Sequence, residues 1–442
     1  MEESPSTRAV TGSVVWVGDR FVPNQMVVIE GDRIVEVTDR PPPEIPTESW
    51  GDVAILPGTV NSHGHSFQSL LKGFADDRSF EDWRDLVLYP FSERLGRAEI
   101  YAGALLAFAE AVLSGTTTTV DFFYLHDGGN ERAQEVLRAA RDIGIRLVFA
   151  RTFYDEDAPT KAPARFRESS GDAARRCLEL ARAVEENPMV SVQPAPHSLH
   201  AASPETIRSA LEVANELGVP CHLHLAEALY ERMQIEQRFG TTPVRLLERE
   251  QLLDSRLVTV HAVWVDEDEL DLIAASGAGV VHCPGANAFL GDGMAPLVEM
   301  LERGIRVGLG PDGGCANNRQ SVFDEMRTAS QLAKARLTDG GAIDAETVLR
   351  LGTAGGADLL GLPVGSLEPG RHADLVAVDL TDMSLQPSAN LVKQIVNSMQ
   401  PTAISKVMVG GEMVVEGGRL TRVDEAEIRT LVADAVEGWT RP

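Results

Sequence analysis

The feature that most limits how this chain can fold is an alternation. Eight short apolar runs are each followed by a segment with helical periodicity. The runs are VAILPGTVNSHGH (53–65), TTTTVDFF (116–123), RLVFARTF (146–153), VSVQPAPH (190–197), VPCHLHLAE (219–227), LVTVHAVW (257–264), GVVHCPGAN (279–287) and RVGLGPDGG (306–314). Runs this short, apolar on both faces, suit strands of a parallel sheet covered by helices. Between them, SPETIRSALEVANELG (203–218) has a Ser cap at its start and a Gly at its end, and DEDELDLIAASG (266–277) is a second amphipathic segment. Eight strand–helix units predict an α/β fold, a (β/α)8 TIM barrel over residues 58–364.

The two ends of the chain read differently. SVVWVGDRFV and MVVIEGDRIVEV near the N-terminus are β-rich runs broken by Gly-Asp turns, and DLVAVDL and KVMVGGEMVVEGGRL near the C-terminus have the same pattern. Residues 1–57 and 365–442 are therefore expected to build one small composite β-sandwich domain, closed by a helix from about Glu425.

A barrel of this kind carries its chemistry at the C-terminal ends of its strands. Run one ends in His63 and His65, run four in His197 and run five in His224 and Glu227; run six carries His261 and run eight reaches Asp312. Most of the chain's ten histidines thus fall at one end of the expected barrel. His63-Gly64-His65 places two imidazoles on one inward face. With His224 and Asp312 they make a histidine–carboxylate set that suits zinc or ferrous iron. His222 lies two residues before His224, on the same face but one layer deeper, where a core imidazole bonded to a neighbour is expected. His282 reads as structural or as a support behind the ligands, and His372 as plain surface. His126 and His200 sit in loops after runs two and four, where a side chain lines either the pocket or the loop itself.

Composition narrows the class. A formal net charge of −26, with no basic run and no interleaving of basic and aromatic residues, argues against nucleic acid and anionic membranes as partners and leaves a small molecule. No apolar stretch approaches a membrane span, and the start MEESPSTRAV has no apolar core of a leader. The four cysteines, Cys177, Cys221, Cys283 and Cys315, form no CxxC pair, so a reducing cytoplasm is expected.

PGTVNSHGH (57–65), HLAE (224–227), VTVHAVW (258–264), HCPGANAFLGDGMAP (282–296), GLGPDGGCANN (308–318) and GSLEPGRHADLVAVD (365–379), in this order, resemble the amidohydrolase superfamily. The likeness is to its cytosine-deaminase-like and triazine-hydrolase-like subgroup, which includes S-adenosylhomocysteine deaminases. It runs from about residue 10 to 420. It implies a single divalent metal, Zn2+ or alternatively Fe2+, held by His63, His65, His224 and Asp312. It implies Glu227 as proton shuttle, His261 as a catalytic group beside the ligands and Asp312 as a base as well as a ligand. Members with two metals bridge them by a lysine after the fourth strand; VSVQPAPHSLH (190–200) has none and offers His197, which by the resemblance faces the substrate. The likeness further implies a homo-oligomer.

The loop SFQSLLKGFADDRSFEDWRDLVLYPF (66–91) is expected to cover the mouth, with Gln68, Trp83 and Arg84 contacting the substrate. Amide and aromatic groups suit a planar nitrogen heterocycle. DFFYLHD (121–127), DWRDL (82–86) and HSLH (197–200) are also similar to formiminoglutamate deiminases, which adds Tyr124 and His200 as substrate contacts. There His200 replaces the arginine that grips a carboxylate in that family. The expected activity is hydrolytic deamination of an amino-substituted N-heterocycle with release of ammonia. Formimino hydrolysis and triazine dechlorination by the same site are alternatives, as is an inactive scaffold, against which the full set of six chemical residues argues.

Overall fold

The computed structural model describes residues 7–156 and 162–440. Residues 1–6 and 441–442, the outer edges of the expected terminal domain, lie outside the described residues. The fold is mixed α/β. Strands β1 (Thr59–Asn61), β2 (Thr116–Phe123), β3 (Arg146–Phe153), β4 (Val190–Pro196), β5 (Cys221–Leu225), β6 (Leu257–His261), β7 (Gly279–His282) and β8 (Val307–Leu309) are parallel to their neighbours. They form two four-stranded sheets, β1–β2–β3–β4 and β5–β6–β7–β8. Every residue of β2 and β3 is buried, which explains why these runs are apolar without alternation. The sheets touch at both joints: the His224 amide donates to the His197 carbonyl at 3.1 Å, and the Ser62 amide to Leu309 at 2.9 Å.

The connecting helices follow their sequence signals. Ser203 accepts from the Thr206 amide at the start of Pro204–Leu217, and Gly218 ends it in the left-handed region at φ 69°. Asp266 and Glu269 form a reciprocal cap on Glu267–Ser276.

The first apolar run departs from expectation, because it is not one strand. Val53–Pro57 belongs to a seven-stranded sheet, antiparallel to Leu375–Asp379 and parallel to Val14–Val17, and the barrel-type strand begins only at Thr59. Gly58 makes the transfer. Its amide donates to the Asp374 carbonyl, and a Cβ there would sit 2.1 Å from the Thr117 hydroxyl, so the chain can pass from one sheet to the other only without a side chain.

Both chain ends supply that sheet, in which Ile404–Val409 and Glu412–Glu416 extend the side of Leu375–Asp379. A four-stranded sheet of Arg33–Thr38, Met26–Glu30, Thr7–Thr11 and Thr47–Ser49 accompanies it. Alternation along the shared strands separates two cores. Ala54, Leu56, Val376 and Val378 face the main core, whereas Val53, Ile55, Leu375 and Ala377 join Val10, Val27, Ile29 and Ile34 of the smaller sheet. The helix expected near Glu425 is present as Glu425–Ala435.

His372, expected on the surface, is buried with its Nδ1 2.9 Å from Asp32. The return segment folds onto the turn near Arg33 through a strand bridge, and this covers the ring. Nearby, Arg146 at the start of β3 grips Asp374 through two nitrogens at 3.1 and 3.2 Å, both side chains almost fully buried, while the Gly410 amide donates to the same carboxylate. Breaking one side of such a pair leaves a buried charge alone. Asp374→Ala is expected to lose about 3–5 kcal/mol of stability in a denaturant titration.

Candidate active site

The site forms where strand ends converge. His63 and His65 follow β1, His224 ends β5 and His261 ends β6; Asp312 lies just beyond β8, where Asp312–Gly313 pairs in parallel with Gly64–His65. The backbone of Gly310 makes this approach possible, since a Cβ there would meet His63 atoms at 2.8–2.9 Å. Ligand-type atoms of His63, His65 and His224 lie within 4.8 Å of one another, and so do those of His63, His261 and Asp312. Asp312 Oδ1 is 3.3 Å from Nε2 of both His63 and His65.

Hydrogen bonds sort these imidazoles. His65 Nδ1 lies 2.6 Å from the Phe122 carbonyl and His224 Nδ1 2.7 Å from the His197 carbonyl. A carbonyl only accepts, so each Nδ1 carries the proton and each Nε2 presents a lone pair inward, as a ligand must. Both ring nitrogens of His63 are buried without a hydrogen-bond partner. Burying orphaned imidazole nitrogens is unfavourable unless something electrophilic meets them. The donor set His63, His65, His224 and Asp312 therefore fits a divalent cation. Burial, with neighbouring imidazoles, lowers His65 to about 4 and His224 well below its ordinary value, so both are neutral ligands at pH 7. For Asp312 burial alone would raise the pKa, but the nearby imidazoles of His63, His65 and His261 hold it below the usual carboxylate range.

His261 is different. Burial drives it to about 3, and its Nε2 lies 3.4 Å from Glu227 Oε1 and 4.0 Å from Asp312 Oδ2. Glu227 is carried back toward the site by a left-handed turn at Ala226 (φ 51°), and the Glu231 carboxylate accepts its amide at 2.9 Å. Burial first, then the charges of Asp292, Asp312 and Glu231, hold the Glu227 carboxyl well above its ordinary value. A carboxyl shifted upward keeps its proton to higher pH than a free one, which suits a proton donor. Glu227 is absent from the close ligand groups, in keeping with a shuttle instead of a ligand.

All six residues expected to contact substrate line one cavity of about 50 Å3 together with His65, His224, Glu227 and Asp312. Gln68 donates to the Tyr124 hydroxyl at 2.9 Å, and Trp83 Nε1 donates to the Cys315 carbonyl at 3.0 Å, so Trp83 anchors its loop while facing the cavity. Arg84 pairs with Asp85 at 2.7 Å and lies 5.3 Å over the Tyr230 ring. His197 and His200 both bond Ser198 Oγ, at 3.0 and 3.1 Å. Roomier grooves of about 540 and 440 Å3 lie elsewhere, the first beside Arg306 and Arg350 and the second beside Arg319 and Arg429, and neither holds an imidazole.

The remaining histidines separate cleanly. His222 Nε2 bonds Gln193 at 2.7 Å, the core contact expected of it. His282 is buried and belongs to neither ligand group. His126 packs against Phe123 and is not among the residues lining the cavity. The sequence reading missed Tyr154, Phe166 and Tyr230 in the cavity wall, and Asn287, Asp292 and Glu231 behind it. HCPGANAFLGDGMAP held a signal for Asn287 and Asp292, two polar groups in the loop after an apolar strand.

Residues 54–414 match the amidohydrolase family. A 5-methylthioadenosine/S-adenosylhomocysteine deaminase from Nitratidesulfovibrio vulgaris is 35% identical over 390 residues, 88% of this chain and 86% of its own. A 5'-deoxyadenosine deaminase from Methanopyrus kandleri is 30% identical over 440 residues, 98% and 99% of the two chains. Among solved structures, an adenosine deaminase from Xanthomonas campestris with bound zinc superposes with TM-score 0.89 at 27% identity, covering 98% of both chains. An atrazine chlorohydrolase from Arthrobacter aurescens complexed with zinc has TM-score 0.90 at 24% identity, covering 97% and 99%, which is a likeness of fold.

Metal analysis tests the ligand set. His65→Ala and His224→Ala are expected to lower the divalent-ion content of the purified protein, whereas His222→Gln, two residues from a ligand, leaves it unchanged.

Proposed function

This chain belongs to the amidohydrolase family, and on that premise we propose that it is a metal-dependent aminohydrolase acting on a 5'-substituted adenosine-type nucleoside. The observation that carries this reading is the placement of Glu227, a mostly covered carboxyl 3.4 Å from His261 and outside the close ligand groups, beside the cluster of His63, His65, His224 and Asp312. The substrate class rests on the deaminase relatives and on a cavity walled by Trp83, Tyr124, Tyr154, Phe166 and Tyr230, rings suited to stacking on a planar heterocycle.

In this reading His63, His65, His224 and Asp312 hold a divalent cation, with zinc the first choice for such a set. When bound, the cation supplies Lewis acidity, which brings the pKa of water near neutrality. Glu227 donates its proton to the ring nitrogen next to the amino-bearing carbon, making that carbon electrophilic. Water adds to the carbon, and Asp312 takes a proton from it. His261 Nε2–H faces the developing negative oxygen and stabilises it. Asp312 then passes its proton to the amino group, the C–N bond breaks as the new hydroxyl returns its proton to Glu227, and ammonia leaves. One water is consumed, and the ring keeps a carbonyl oxygen. Gln68, Arg84, His197 and His200 bind and orient the substrate around this centre.

The same reading takes β1 to β8 as a closed (β/α)8 barrel over 58–364, supported by the two backbone bonds that join its half-sheets. It takes the terminal sheets as a β-sandwich from 1–57 and 365–442, supported by the second apolar core. Among the described residues no helix is long and apolar enough to cross a membrane. The four cysteines are free and buried, which accords with a cytoplasmic setting, and a homo-oligomer is the assembly the resemblance implies.

The decisive assay is ammonia release from methylthioadenosine, adenosylhomocysteine, 5'-deoxyadenosine, pterins and formimino compounds, beside chloride release from chlorotriazines. Turnover confined to chlorotriazines, or to formimino compounds, would overturn the reading. Glu227→Gln is expected to lower kcat by about 10²–10⁴-fold with little change in KM. Because the acid must be protonated, kcat in the parent enzyme falls as pH rises through the elevated Glu227 pKa; the residual rate of Glu227→Gln lacks that alkaline limb.

A further inference from the structure

We propose that Asn287 is a positioning residue that fixes His261 as its Nε2–H tautomer. The inference rests on the catalytic reading of His261 given above, but the geometry is independent of which substrate turns over. Asn287 is buried on the helix Pro284–Leu290 that follows β7. Its Nδ2 lies 3.0 Å from His261 Nδ1 and 3.3 Å from Asp292 Oδ2. An amide nitrogen brings two hydrogens, one for each of these neighbours. With Asn287 donating, His261 Nδ1 must accept, and the single proton of the neutral ring resides on Nε2. Nε2 itself makes no hydrogen bond among the described residues, lying 3.4 Å from Glu227 Oε1 and 4.0 Å from Asp312 Oδ2, so its proton is left for an incoming acceptor.

The arrangement is the reverse of that at His65 and His224, where Nδ1 carries the proton and backbone carbonyls receive it. One pocket therefore holds imidazoles of both tautomers, and what differs is only the group behind each ring. The parts that hold His261 and Asn287 in register are themselves tied down. His261 and Ala262 are left-handed, at φ 76° and 47°, and the Ala262 amide bonds Leu225 at 3.0 Å. The Asp292 amide donates to the Asn287 carbonyl at 2.9 Å, and Trp264 Nε1 donates to the Asp292 carbonyl at 2.7 Å. Asp292 thus orients the amide, the amide orients the proton, and neither lines the cavity.

The test reads the ring nitrogens directly. In the intact enzyme labelled with 15N-histidine, His261 signals, assigned by their loss in His261→Gln, are expected to show a protonated, pyrrole-type Nε2 and an unprotonated, pyridine-type Nδ1. Asn287→Asp puts an acceptor against Nδ1 and is expected to convert Nδ1 to the protonated type, with kcat falling about 100-fold and KM changing by less than about threefold. A protonated Nδ1 with a bare Nε2 in the parent enzyme would overturn the proposal, and so would unchanged nitrogen signals in a folded Asn287→Asp. If that variant does not fold, the parent spectrum alone decides. An enzyme inactive on every nucleoside offered would sink the proposed reaction while leaving the tautomer readable.

Discussion

Everything at this centre depends on groups that would prefer water being held where water is scarce. Four imidazoles and two carboxyls meet with almost no exposure. Desolvation lowers His65, His224 and His261 and so leaves their lone pairs available, and the same desolvation raises Glu227. One physical cause produces both the ligands and the acid. What assigns the roles is local: a carbonyl behind His65 and His224, a buried amide behind His261, a helix-borne carboxylate behind the Glu227 backbone.

The strands are recruited to this end by register. Leu225 is level with His261 across β5 and β6, which brings His224 and the Glu227 turn beside the end of β6. Asp312 is level with Gly64 across the short pair that closes the mouth. Side chains far apart in sequence arrive within ligand distance because the strand ends arrive together. The left-handed residues Ala226, His261, Ala262 and Asp312 all lie at these ends. Non-glycine residues adopt that conformation at a cost of about 1–3 kcal/mol each and persist only when the surroundings insist. Backbone bonds from Ala262, Val263 and Trp264 back to Leu225 and Ala226 are that insistence.

Most of the candidate site was legible in the sequence because it sits at strand ends, and strand ends are where periodic apolar runs stop. His63, His65, His224, Glu227, His261 and Asp312 could be found that way. The split of run 53–65 could not, because both halves are equally apolar and only the close pass of Gly58 over Thr117 separates them. His372 misled for a related reason: a polar loop residue looks exposed until the turn that covers it is known. Asn287 and Asp292 escaped because their role is to touch His261 and each other, a contact across two loops that no spacing encodes. Tyr154, Phe166 and Tyr230 look like ordinary core aromatics until the cavity shows which face they turn.

The cavity of about 50 Å3 has room for little more than a few waters, well below the several hundred cubic ångströms typical of a drug-sized site. Its outer wall is Phe80 against Tyr230, ring centres 5.1 Å apart, with Arg84 over Tyr230. On the reading proposed above, a nucleoside meets a rarer shape in which these rings have parted. Its apparent affinity is the intrinsic one divided down by how seldom that shape occurs. On that reading entry and departure both require the same two rings to move.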